Sequence, residues 1–81
     1  MNFELHVEAG EIYRNRTTDN YYVIFESNKY VKYIIFDKDW NKKYSQYFES
    51  DLDSFMTEVR GGNFSLISRI DSDKLAKALL M

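Results

Sequence analysis

Apolar and polar residues alternate from the start of the chain. Phe3, Leu5 and Val7 fall between Glu4, His6 and Glu8, the period-2 signature of a half-buried strand. Ala9-Gly10 marks a bulge or turn, after which residues 11–16 are extended again. The polar cluster Thr17-Thr18-Asp19-Asn20 suits a hairpin loop. Residues 21–26 are almost continuously β-branched and aromatic, and Ser27-Asn28-Lys29 turns them back. Residues 30–36 are apolar on both faces, which predicts an interior strand. Residues 37–41 make the next turn, and residues 42–48 read as a more polar returning strand.

The period then changes. Leu52, Phe55, Met56 and Val59 are spaced i, i+3, i+4, i+7, one face of a helix, with Ser50 as N-cap and Asp53 in a capping-box-like position. Gly61-Gly62 stops that helix, one glycine supplying the left-handed residue after the cap. Residues 64–70 read as a last strand with Ser65, Ile67 and Arg69 on one face. Asp71 or Ser72 then caps a short helix in which Leu75, Ala78 and Leu79 share a face. The order β-β-β-β-β-α-β-α predicts an α+β domain spanning residues 1–81. It is mainly an antiparallel β meander, with one helix before the last strand and a short C-terminal helix. The packing is a twisted sheet or a small open barrel. Gly10-Glu11-Ile12-Tyr13-Arg14 opening a strand, with a helix inserted before the last strand, resembles small SH3-like barrels over residues 10–68. That resemblance implies architecture and no function.

Composition narrows the field. The chain has 81 residues and no Cys, which excludes disulfide and thiolate chemistry and fits a reducing, cytoplasmic setting. No apolar run is long enough to cross a bilayer, and no signal-peptide pattern opens the chain. Phe, Tyr, Met, Ile, Asn and Lys make up 35 residues, against 10 for Gly, Ala, Arg and Pro. This usage implies an AT-rich gene, and Pro-free, Tyr/Asn/Lys-heavy frames of this size are common in bacteriophages and mobile elements. A host bacterial cytoplasm is the expected location.

The catalytic inventory is thin, and the expectation is no enzyme. His6, the one histidine, shares a strand face with Glu4 and Glu8, an arrangement better read as a solvent-facing stripe than as a general base. Asp37, Asp39 and Asn41 match the first ligands of a calcium loop, but Lys42 stands where the turn glycine belongs and Phe48 where a bidentate Glu is needed. Turn and capping duty accounts for the Asp pairs, so no metal and no cofactor are expected.

Residues 28–48 depart from the rest. They hold seven of the fourteen aromatic residues and a local charge of +3, against −3 for residues 1–26 and −2 for residues 49–81. Not all of these rings fit a small core, so some must face solvent. The contact surface is therefore placed on the hairpin of residues 30–48, centred on Trp40, flanked by Lys42 and Tyr44, with Tyr30, Tyr33 and Tyr47 beside them.

Two functions compete. One is a non-enzymatic module that binds and inhibits a bacterial host or immune protein. The alternative is a sponge for nucleotide second messengers, in which Arg14, Arg16, Arg60 and Arg69 meet phosphates while Tyr or Trp rings stack on bases. A net charge of −2 argues against nucleic acid as the partner. Edge strands at residues 3–7 or 42–48, and the apolar end Leu79-Leu80-Met81, imply a two-fold homodimer.

Overall fold

The computed structural model describes residues 6–71, 73–75 and 77. Five strands, β1 (Glu11–Asn15), β2 (Tyr21–Ser27), β3 (Tyr30–Phe36), β4 (Phe48–Asp51) and β5 (Phe64–Arg69), form one open antiparallel sheet. The order across it is β4-β3-β2-β1-β5, so the meander runs to one edge and helix α1 (Leu52–Arg60) carries the chain back to the other. The sheet does not close into a barrel. The predicted strand at residues 3–7 lies outside the described residues except for His6 and Val7, which are not strand.

Period-2 alternation sorts the strands into two apolar faces. On one, Tyr13, Ile24, Val31, Tyr33 and Ile35 pack beneath Phe55 and Met56 of α1. On the other, Ile12, Val23, Ile34 and Phe36 gather around Leu75 of the C-terminal helix, with Tyr21 and Phe25 at the margin. Interior position and two buried faces explain why β2 and β3 are so uniformly apolar.

Strand runs directly into helix at Asp51, which holds the N-cap position without a side-chain cap bond. Ser50, expected as the cap, instead sits in β4 with its Oγ 2.9 Å from the Tyr33 hydroxyl. At the other end, the Gly62 N–H donates to Val59 O (3.1 Å) and the Asn63 N–H to Glu58 O (3.0 Å). Those two bonds with Gly62 at φ 81° make a Schellman stop. The second helix is capped by Asp71, whose Oδ1 accepts the Lys74 N–H at 2.9 Å. Ala78 and Leu79 lie outside the described residues.

Gly10 fixes the entry to β1. Its N–H reaches Ile24 O (2.7 Å), its carbonyl accepts the Ile70 N–H (2.8 Å), and its φ is 94°. A Cβ there would lie 2.5 Å from Ile70 O. Gly10→Ala is therefore expected to cost on the order of 2 kcal/mol, from left-handed strain plus a clash with backbone. Equal urea midpoints for variant and parent would contradict this.

A buried carboxylate with no local sequence signature ties the two ends of this region together. Glu11 is 1% exposed. Its Oε1 accepts the Glu8 N–H (2.7 Å) and the Tyr13 hydroxyl (2.9 Å), and its Oε2 accepts Arg69 Nη2 (3.0 Å) and Nε (3.2 Å). Unbroken alternation from Phe64 puts Arg69 on the opposite face. A one-residue bulge at Ile67 shifts the register between Ile12 and Tyr13 and turns Arg69 to the helix-covered face.

Burial, and then the bond to Glu11, raise the Tyr13 pKa above its ordinary value, and burial raises that of Tyr22. A raised phenol contributes stability that is complete below its unfolded pKa of about 10 and is lost as pH climbs through the folded one. Unfolding free energy is thus expected to fall with pH above about 10, and less steeply in Tyr13→Phe. A stability flat from about pH 9 to about pH 12 would contradict this.

Candidate functional site

The loop after β3 is held by its first residue. Asp37 Oδ1 accepts the N–H groups of Asp39 and Asn41, both at 2.9 Å, and the Trp40 N–H donates to Asp37 O (3.0 Å). This Asx-type turn brings Trp40 to φ 64°, a left-handed conformation that costs a bulky residue about 1–2 kcal/mol. The indole lies flat on Tyr21, with ring centroids 4.1 Å apart and planes 4° apart, and tilts against Phe36 at 6.0 Å. It is still 47% exposed, so one stacked face is covered and the rest is open.

Beyond the turn the chain starts to pair with β3 and then leaves it. Lys42 bridges Phe36, and the Lys43 N–H donates to Ile35 O (2.9 Å). Regular pairing resumes only at Phe48 opposite Tyr33. Five residues between Lys42 and Phe48 oppose two of β3, so the predicted strand at residues 42–48 is interrupted by an outward loop. Its two tyrosines explain the excursion, because they anchor to opposite faces of the sheet. Tyr44 packs edge-on against Phe48 at 5.1 Å, and Tyr47 edge-on against Phe25 at 5.3 Å.

An open cleft of about 590 Å³ lies between this loop and the sheet. Phe25 and Ile34 form its floor, Tyr47 one wall, and Lys42, Gln46 and Glu49 its polar margin. Lys32 stands beside it, 5.9 Å from the Tyr47 ring centre and paired with Glu26 at 2.9 Å. The bond to Glu26 holds its ammonium above the usual lysine range. Such a cleft takes one or two side chains, or one planar group, and orients it with a few polar atoms.

The expected site residues do not all meet. Trp40, Lys42 and Tyr47 share the loop-covered face, and Tyr30 lies on the same face by strand alternation. Tyr44 belongs to the opposite side. Tyr33 is core, 9% exposed and stacked on Tyr22 at 4.8 Å, because odd positions of β3 point under α1. Arg14 pairs across the strands with Tyr21 and is bound by Asp19, which raises its pKa. Arg16 is exposed past the end of β1, Arg60 ends α1, and Arg69 is held by Glu11. The four arginines therefore do not converge on one phosphate site.

Tyr21 and Phe25 were missed, although they alternate with Val23 along β2 and so mark the face on which Trp40 and Tyr47 land. Among the described residues, His6 lines a second cleft of about 320 Å³ with Glu8, Glu11 and Arg69. No three His, Asp or Glu side chains come together there or elsewhere among the described residues to hold a metal. No described helix is long and apolar enough to cross a membrane. No protein-family model, curated protein or solved structure matches this chain, and its functional reading rests on the geometry of this one face.

Proposed function

We propose that this chain is a non-enzymatic binding module that docks on a protein through the loop-covered face of its sheet. The observation that carries this reading is the exposure of the hairpin aromatics. Tyr30, Trp40, Tyr44 and Tyr47 are each 43–54% exposed, and Tyr47 walls a cleft of side-chain size. Rings held rigidly at a surface are favoured anchors in protein recognition, since little entropy is lost on binding. Net acidity favours a protein partner over nucleic acid.

With the AT-rich composition, we read the partner as a bacterial host or immune protein that a phage-encoded chain inhibits in the host cytoplasm. Affinity purification from a bacterial lysate tests this: repeated recovery of one host protein is expected, and recovery of none contradicts it.

One observation favours a second reading. The half-covered indole of Trp40, with Arg14 in the same row as Tyr21, is also a platform for a nucleobase. A sponge for cyclic nucleotide signals predicts a ligand-dependent rise in melting temperature across a panel of such messengers. The protein-binding reading predicts none.

A further inference from the structure

The two edges of the sheet are guarded unequally. β4 is four residues long and carries Glu49 and Asp51. Two antiparallel copies of it would set carboxylate against carboxylate, which disfavours pairing. β5 is six residues long, with neither Pro nor Lys, and its one charge, Arg69, stands at the end. Leu66 and Ile67 at its middle are 46% and 45% exposed. Among the described residues β5 pairs with β1 alone, so its outer side is a strand edge of the kind that templates another strand.

We propose that the occupant of this edge is a second copy of the chain, paired antiparallel about a two-fold axis between Leu66 and Ile67. The bulge is the reason this register closes on itself. Directly opposite residues must lie on the same face, and in an unbroken strand positions 64 and 69 lie on opposite faces. The extra residue at Ile67 puts Phe64 and Arg69 on the helix-covered face, and Ser65 and Ser68 on the other. Phe64 then opposes Arg69 of the second copy and Ser65 opposes Ser68, with the bulged pair Leu66 and Ile67 at the axis, each contact made twice by symmetry.

Charge agrees with this register. Arg69 binds Glu11 through Nε and Nη2, and its side chain is 66% exposed, leaving Nη1 for another acceptor. Across the axis it meets the start of β5 of the second copy, where Glu58 is held by Asn63 Nδ2 at 2.5 Å on the same face. The axis repeats this contact as well. A six-residue edge covers less than the ~1,200–2,000 Å² of a standard interface, so the dimer is concentration-dependent.

Sedimentation velocity of the full chain from low micromolar to millimolar concentration tests the pairing. The mass is expected to climb from 9.7 kDa towards twice that value. Ile67→Lys sets two charges into the apolar centre and is expected to weaken association by roughly tenfold or more. Glu58→Arg, which leaves the strand untouched, is expected to weaken it less. Melting curves of dilute samples check that both variants fold, and if Ile67→Lys does not, Glu58→Arg carries the test. A wild-type chain that stays monomeric throughout overturns the proposal. A dimer that the folded variants leave as tight as the parent overturns it too.

Discussion

Replacing Phe55 by Ala is expected to lower the unfolding free energy by about 3–5 kcal/mol. Phe55 is 1% exposed, and its ring meets Tyr13 at 5.2 Å, Phe64 at 5.1 Å and Tyr33 at 5.8 Å. One side chain of α1 thus touches β1, β5 and β3 together. A nine-residue helix has no stability of its own, so α1 persists only through this packing. A chain of this length has about 4–12 kcal/mol to lose, which makes Phe55→Ala a change of roughly a quarter or more. Urea unfolding followed by circular dichroism measures it. A loss below about 1 kcal/mol would mean that the helix does not seat on the sheet as described.

Trp40→Ala is expected to weaken partner binding by about 2 kcal/mol or more while costing the fold about 1 kcal/mol. The two numbers have different origins. On the fold side, the variant loses the stack on Tyr21 and the contact with Phe36 but keeps a left-handed residue at position 40. For a domain of this size, about 1 kcal/mol shifts the melting temperature by roughly 4–8 °C.

Trp40→Gly separates the terms further. Glycine relieves the strain of φ 64°, offsetting the lost stack, so its stability is expected within about 1 kcal/mol of the parent with binding equally reduced. A collapse of stability in both variants would make the indole a lid on the sheet rather than an anchor. That outcome would move the site elsewhere.

Local signals carried most of the fold. Alternation and turn chemistry placed β1, β2, β3 and the Gly61-Gly62 stop, because each depends on neighbours within a few residues. The failures share a cause. Ser50 is a good cap in isolation, yet a tyrosine seventeen residues earlier takes its hydroxyl. Residues 42–48 alternate well enough for a strand, yet Phe25 and Phe48 on opposite faces draw Tyr47 and Tyr44 out of it.

The candidate site was legible to the same extent. Its aromatic density could be counted and Trp40 placed at a turn tip. The floor of the cleft comes from β2, and the bond between Glu11 and Arg69 spans 58 positions, so neither has a local signature. Even so, Tyr44 and Tyr47 fall on opposite faces, as strand alternation requires, although the strand itself is broken.

The most direct test of the docking face is the dissociation constant of the captured host protein for three chains measured side by side. These are the parent, Trp40→Ala combined with Tyr47→Ala, and Arg60→Ala, which alters an exposed residue at the end of α1 on the other layer. The double variant is expected to lose binding by at least about tenfold, the equivalent of about 1.4 kcal/mol. Arg60→Ala is predicted to bind like the parent, with all three folded by circular dichroism. Equal affinity for the parent and a folded double variant would contradict this docking face.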